Sequence, residues 1–460
     1  MYSAKTIFVQ RSDPLFAWCD DIAHKANNLY NAALFRERQM MFAAKRTNIF
    51  DLSDNELEVM SEFEWMNYYL PKDKQKILPP SGSISYTTLD CMMKLCKNPD
   101  YCCTGLPRQT AQQILKMTLR DICSFFAALK SYKRDPGKFT GRPKMPGYKH
   151  KKGACAFIVT NQDCVIRKNK KHRYTAKLPF TKQVVRLGRE VHGKFVQLNV
   201  TPRNGTYKLS FVFDDGTNAP ATADTAERIA AIDLGVDNLM AVTNNVGAEC
   251  LLFKGGAAKS ANHYFNQMSA RIQSEQTSGS TDKFVPTKRY YRILQKRNNR
   301  INDCMLKDCK RLITWCVEKR IDTIVIGENK FWKQECSMGG TSNQNFLQIP
   351  FERLKRIIAY SAERLGIRII YQEESYTSKA SFLDRDKIPV YSRDSEEHHK
   401  FSGAREKRGL YRSADGTKIN ADLNGSANIL RKAIPDAFER GIEPDFRNIR
   451  AYYHPDLKLA

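Results

Sequence analysis

Apolar residues return at two different spacings along this chain, and the change of spacing divides it. Leu15, Trp18, Ile22, Ala26, Leu29 and Ala33 recur every three or four residues, the period of one helix face. Asp13 and Pro14 just before them predict an N-cap and a first helical position. Ala111, Ile114, Leu115, Ile122, Phe125, Phe126 and Leu129 predict a second helix over residues 109–132. Residues 51–106 between them are mixed, with Asp51, Ser53 and Asp54 as turn or capping signals and Pro79-Pro80-Ser81-Gly82 as a loop. Strand-like runs at 4–10, 156–160, 183–187, 194–201 and 207–213 predict a small β-barrel or sandwich.

Residues 216–224 read as a polar linker into a third pattern, in which strands alternate with amphipathic helices. Residues 229–243 read as a buried strand, followed by strands near 249–253, 323–328 and 368–374. Residues 288–320 predict a long basic helix or helix pair with Leu294, Ile301, Met305, Leu312 and Trp315 on its core side, and 351–365 another helix. Residues 273–280 read as a mobile, Ser/Thr/Gly-rich segment, 376–420 as an irregular insertion, 421–434 as a helix, and the remainder as a polar tail. The expected fold class is multidomain, α+β first and α/β after.

Charge changes the picture. The chain carries 75 Lys and Arg against 49 Asp and Glu, a net +26, which asks for a polyanionic partner, most simply nucleic acid. A membrane surface fits less well, because the basic residues do not line one amphipathic helix. There is no 18-residue apolar run, so no membrane-spanning helix is expected, and the N-terminus turns polar too soon for a signal peptide. Thirteen scattered cysteines without a CxxC pair read as reduced thiols in a cytoplasmic protein. Residues 133–194 concentrate the excess: Arg142, Lys144, Lys149, Lys151, Lys152, Lys168, Lys170, Lys171 and Arg173 are the candidate nucleic-acid contacts, set on loops between short strands.

Three acids sit where an α/β sheet would gather them. Asp233 ends an apolar run before Gly235, Glu328 closes Thr323-Ile-Val-Ile-Gly-Glu, and Asp422 stands at a helix entrance. Each alone has a plain reading: a turn, a solvated strand end, an N-cap. A buried carboxylate is costly unless paired or ligating. Hard oxygen donors suit Mg²⁺, and two such ions about 3.5–4 Å apart serve phosphodiester cleavage. Asp233 is the candidate bridge between two ions, with Glu328 and Asp422 on either side and Mn²⁺ as a substitute. Asn424 is a weaker candidate for substrate contact, and Asp237 reads as a turn or surface acid.

Four stretches, Asp233-Leu-Gly-Val-Asp237, Gly327-Glu-Asn329, Thr377-Ser-Lys379 and Asp422-Leu-Asn-Gly-Ser-Ala-Asn428, resemble the RuvC motifs of the TnpB family, transposon-encoded nucleases related to compact type V CRISPR effectors. The resemblance implies a helical recognition domain (13–132) inserted in a small wedge β-barrel (1–12 and 133–222). After these come an RNase H-like RuvC nuclease (223–375 and 421–434), a target-loading insertion (376–420) and a tail (435–460). It implies a guide RNA from a transposon end, a double-stranded DNA target cut beside a short flanking motif, catalytic roles for Asp233, Glu328 and Asp422, and a prokaryotic protein at the nucleoid when bound to DNA. The family's zinc ribbon departs here: Ser381, Asp384, Arg412 and Asp415 stand near the expected cysteine positions, and His398-His399 reads as a polar loop, so no zinc is expected. Packing through Phe382, Ile388, Tyr391, Leu410 and Tyr411 is expected to hold the insertion instead. The alternatives are a small type V CRISPR effector, an RNA-guided repressor that does not cleave, and a strand-joining transposase.

Overall fold

The computed structural model describes residues 1–102, 105–277, 283–328, 347–389, 399–439 and 441–454. They form two compact units, Met1–Thr217 and Asn218–Ala460.

The first unit opens with β1 (Tyr2–Val9), continues through helices, and closes with β2 (Phe157–Thr160), β3 (Val165–Lys168), β4 (Tyr174–Lys177), β5 (Val184–Gly188), β6 (Lys194–Arg203) and β7 (Thr206–Asp214). Strand pairing makes two antiparallel sheets, β1-β7-β6-β2 and β3-β4-β5. The helices, including Phe16–Ala43, Asp54–Tyr69, Tyr86–Leu95 and Arg108–Arg134, lie in sequence between β1 and β2. Trp18, Ile22, Ala26, Leu29 and Ala33 of the first helix are buried, as their spacing requires.

Several local expectations need correction. Asp13 does not cap a helix at Pro14: the helix begins at Phe16 behind Leu15, and the Asp13 carboxylate accepts from the Leu15 N–H at 2.8 Å. Phe126 is exposed, because the Arg108–Arg134 helix leaves the core after Ile122. Strands β3 and β4 were hidden within the basic run, where charged side chains mask two short hairpin strands turned at Asn169 and left-handed His172. Ser53 does cap the Asp54–Tyr69 helix, forming a reciprocal box with Glu56.

The second unit holds β8 (Ile229–Asp233), β9 (Asn238–Asn244), β10 (Glu249–Lys254), β11 (Thr323–Glu328), β12 (Arg368–Glu373), a small sheet of β13 (Ala404–Lys407), β14 (Leu410–Arg412) and β15 (Lys418–Asn420), and finally β16 (Asp445–Tyr452). The main sheet runs β12-β11-β8-β9-β10-β16. Strands β12, β11 and β8 are parallel, β9 is antiparallel to β8 and β10, and β16 is parallel to β10. Alternation decides the layers. Ala230, Ile232, Ile324 and Ile326 pack with residues of the Lys288–Glu318 and Phe351–Glu363 helices. Ile229, Ala231 and Val325 face the Ala421–Ala433 helix through Ala427, Ile429 and Leu430.

The stretch read as one strand over 229–243 is two strands, with Asp233 opposite Ala241 and the turn between them at Leu234–Asp237. The polar tail contains β16, a sixth strand whose exposed charges concealed it. Part of the insertion is the β13-β14-β15 sheet, and residues 273–277 are helical, completing Gly256–Thr277. The long basic stretch is one helix, Lys288–Glu318, with Ile301, Met305, Leu312 and Trp315 buried and Leu294 half-buried. The described cysteines are free thiols.

Glu37 lies fully buried among the apolar residues of the first unit, and neither carboxylate oxygen has a hydrogen-bond partner among the described residues. Burial pushes its pKa from 4.5 to about 8. The folded state therefore holds a proton that the unfolded chain has released, so stability falls as pH rises from 4.5 to about 8. Glu37→Gln is expected to flatten that dependence and to raise stability at pH 8 by ~1–3 kcal/mol, read from urea unfolding at acidic and alkaline pH.

Candidate active site

Asp233 stands at the end of β8, Asp422 in the first turn of the Ala421–Ala433 helix, and both line one cavity of about 500 Å³. The rest of its wall includes Asp237, Asn238, Ser378, Arg405, Lys407 and Arg408. Asn420 caps the helix, accepting from the Asp422 and Leu423 N–H groups at 3.0 and 3.2 Å. Asp422 accepts from Asn238 Nδ2 at 2.6 Å and faces the Arg405 guanidinium at 3.4 Å.

Each polar residue of the Asp422–Asn428 motif has a visible task. Ser426 Oγ donates to the Ala231 carbonyl at 2.8 Å and accepts from the Thr243 N–H at 3.2 Å, so it hooks the helix to β8 and β9. Asn428 Nδ2 donates to the Thr377 and Ala380 carbonyls. Asn424, read above as a possible substrate contact, is fully buried and bridges Ala380 and Phe382, which makes it a structural pin. A Cβ on Gly425 would stand 2.7 Å from Asp233 Oδ2, so glycine is needed for the carboxylate to lie against the helix. Glycine costs a helix about 1 kcal/mol relative to alanine, and here that cost secures the approach.

A fourth acid was not anticipated. Glu374 follows β12 by one residue; its Oε2 is buried and unpartnered among the described residues and lies where a Cβ on Gly327 would meet it at 2.6 Å. Burial is the main cause that raises the Asp233 pKa well above its ordinary value, and the charges of Glu374 and Asp422 add to it against Arg405. Glu374 is raised to about 7 by burial, with Lys355 opposing and Glu373 and Glu328 reinforcing the shift. The sequence signal was weak: in Gln372-Glu-Glu-Ser375 the two acids look alike, yet Glu373 pairs with Lys432 at 2.6 Å while Glu374 turns inward.

Glu328 ends β11 beside β8, in register with Glu373 of β12, and its carboxylate lies 3.6 Å from the buried Lys355 ammonium. It is absent from the cavity wall that Asp233 and Asp422 share. Thus two of the three predicted acids meet directly, and Glu328 reaches them electrostatically through Glu374. Among the described residues, no three Asp, Glu, His or Cys side chains are placed to hold one metal ion together. The chemistry of the gathered groups is of the type that suits a divalent cation. All their donors are oxygens, the two innermost carboxylates are raised in pKa, and Glu374 Oε2 has no other partner. Asp237 stands in the turn, as read from the sequence, and pairs with Lys259 at 2.5 Å and with Arg408 beside the same cavity.

The insertion supplies the cationic side. Arg405 and Lys407 come from β13 and Arg408 from the turn after it. Where cysteines would lie, Asp384 accepts from the Ala414 N–H at 3.0 Å and Ser381 Oγ accepts from the Asp384 N–H at 3.2 Å, so hydrogen bonds join the two turns. Phe382 and Tyr411 are buried, Ile388 and Leu410 half-buried, and Tyr391 and His398 lie outside the described residues. His399 packs edge-on against Tyr376.

In the first unit, residues 146–150 are strapped to the Phe16–Ala43 helix. Asn27 and Asn31 donate to the His150 and Lys149 carbonyls, and Arg38 to that of Pro146. Arg142, Lys144, Lys151, Lys152, Lys168, Lys170, Lys171 and Arg173 are exposed, whereas Lys149 is half-buried with its ammonium 4.0 Å from the Tyr30 ring centroid. No helix among the described residues is long and apolar enough to cross a membrane.

Residues 212–333 match the family OrfB_IS605, described as a probable transposase, and residues 351–429 match the Cas12f1-like TNB domain. A TnpB-like protein, ORF457, of Acidianus two-tailed virus is 26% identical over 214 residues, 45% of this chain and 42% of the viral protein, so the match spans less than half of that relative. The resemblance to TnpB proteins drawn from the four motifs is therefore matched by independent sequence similarity. Among solved structures, the Cas12f1-sgRNA-target DNA complex is similar at a TM-score of 0.47 and 11% identity, covering 87% of this chain and 82% of that one. The mini-RNA-guided endonuclease CRISPR-Cas phi3 is similar at 0.46 and 9%, covering 94% and 92%.

Two outcomes test these placements. Asp233 and Glu374 keep protons that the unfolded chain loses, so in metal-free buffer the second unit is expected to lose stability as pH rises from 4.5 toward about 7. Mg²⁺ should restore it more at pH 8 than at pH 5, and Asp233→Asn should abolish most of that increment, read by thermal unfolding with and without chelator. Lys151→Ala with Lys152→Ala is expected to lower the slope of log affinity against log salt by about 1.4–1.8 in nucleic-acid binding, whereas Lys149→Ala should change it less.

Proposed function

We propose that this chain, similar to a TnpB-like protein and, over residues 351–429, to the Cas12f1-like TNB domain, is an RNA-guided DNA endonuclease with a RuvC-like, metal-dependent site. The observation that carries the reading is the meeting of Asp233 and Asp422 in one cavity walled by Arg405, Lys407 and Arg408. Acids that suit cations and guanidinium groups that suit phosphate then share one opening. The order β10-β9-β8-β11-β12, with only β9 reversed, supports an RNase H-like nuclease sheet.

Asp233, Asp422 and Glu328 would hold Mg²⁺ or Mn²⁺, with Glu374 as a further carboxylate beside Asp233. Bound divalent ions activate water and stabilise the departing oxygen in phosphodiester hydrolysis. The chain's own residues do the rest. Arg405 and Arg408 draw a phosphate toward the acids, Asn238 orients Asp422, and Lys355 steadies Glu328. The basic first unit would grip a guide RNA by its backbone, base pairing would read the target, and the protein would read only a short flanking duplex. A wedge-type barrel around an inserted recognition domain is consistent with β1 and β7 being neighbours on either side of the helices.

The test is co-expression with the flanking RNA and incubation of the purified complex with a randomised DNA library and Mg²⁺. Cuts beside one recurrent motif are expected; binding without cuts supports a repressor, and joined strands a transposase. Asp233→Ala should lower cleavage by a factor of at least about 10³, measured as rate constants, and leave guide binding within about twofold. Retained cleavage would overturn the assignment.

A further inference from the structure

The three-stranded sheet of the first unit turns one face to solvent. Val165 lies opposite Lys177 and Arg167 opposite Thr175 across β3 and β4, while Lys177 and Thr175 lie opposite Val184 and Arg186 of β5. Residues paired in this way share a face. The other face carries buried Ala176, Val185 and Leu187 and belongs to the core. The outward face therefore alternates Arg167, Lys177 and Arg186 with Val165 and Val184, which are 45% and 56% exposed.

Beside this face lies a cavity of about 550 Å³, lined by Asp163, Arg167, Lys177, Phe180 and Lys182 among others. Phe180 is 66% exposed and has a left-handed backbone, φ 56°. That conformation is unfavourable for a bulky side chain, and the exposure gains no burial energy. The loop is nonetheless held firmly: Trp18 Nε1 donates to the Pro179 carbonyl at 2.8 Å, and the Gln183 N–H donates to Thr181 Oγ1 at 3.1 Å. An exposed aromatic ring that shares a cavity wall with Arg167, Lys177 and Lys182 is the arrangement that stacks a base and holds its phosphates.

We propose that this face and cavity bind an unpaired nucleotide of a single-stranded nucleic acid, its base stacked on Phe180 and its flanking phosphates held by Arg167, Lys177 and Lys182. Asp163 is the acid on the same wall. Its charge disfavours phosphate at that end of the cavity, which leaves the phosphates to Arg167, Lys177 and Lys182. Stacking on a ring requires an unstacked base, so a fully paired duplex does not satisfy the site. Its lining shares no residue with the acid cavity, and its occupation does not depend on cleavage.

The full chain, freed of copurified nucleic acid and kept in chelator, is titrated with an oligonucleotide of about twelve residues carrying 2-aminopurine, as RNA, as DNA and as a duplex. Single strands of at least one sugar type are expected to bind with quenched 2-aminopurine emission, and the arm that binds tighter identifies the strand. Phe180→Ala should weaken that binding about tenfold or more and remove the quench, with the salt slope unchanged, whereas Phe180→Tyr should retain both. Lys177→Ala and Lys182→Ala should each lower the salt slope by about 0.7. Wild-type affinity and quenching in Phe180→Ala, or binding of the duplex alone, would overturn the proposal. Unfolding midpoints of both Phe180 variants separate a folding defect from a lost contact, and Phe180→Tyr decides the case if Phe180→Ala unfolds.

Discussion

Mutual repulsion of carboxylates in a poorly hydrated corner of the second unit is the constraint on which the rest of that unit turns. Burial raises the free energy of the charged Asp233 and Glu374 carboxylates, and the charges of Glu374 and Asp422 add to it at Asp233. Such a cluster exists only where stronger interactions hold its backbone in place. Here these are the parallel pairing of β8, β11 and β12 and the packing of Ala427, Ile429 and Leu430 beneath them. The stored repulsion is discharged by protons or by cations, which is why an acid cluster of this kind suits a divalent-metal site.

The Ala421–Ala433 helix is the part that turns a sheet into a site. Its apolar residues serve the core, while Asn424 and Asn428, one turn apart, carry the 377–382 segment by their amides. Ser426 ties the same helix to the two strands beside Asp233. Gly425 removes the one side chain that would collide with the Asp233 carboxylate. The insertion, joined by Asp384 and Ala414 rather than by thiolates, brings Arg405, Lys407 and Arg408 to the same opening. Positive and negative groups thus meet there from separate segments, and a phosphate between a cation and a guanidinium is the ligand such a wall would favour.

Local pattern alone established much of this: the α character of the Phe16–Ala43 and Arg108–Arg134 helices, the alternating strands of β6 and β7, and the places of Asp233 and Glu328 at strand ends and of Asp422 at a helix entrance. These are properties of side-chain period and chemistry, which a linear chain displays directly. What only the tertiary structure decided are the properties of neighbours distant in sequence. Glu373 and Glu374 are indistinguishable in the chain, yet one pairs with Lys432 and the other faces Asp233. Lys149 and Lys151 look alike too, yet one lies over Tyr30 and the other in water. β16 and β3 went unread because edge positions tolerate charge and erase the apolar signal. Burial and charge environment are sums over the whole fold, and no window of sequence contains them.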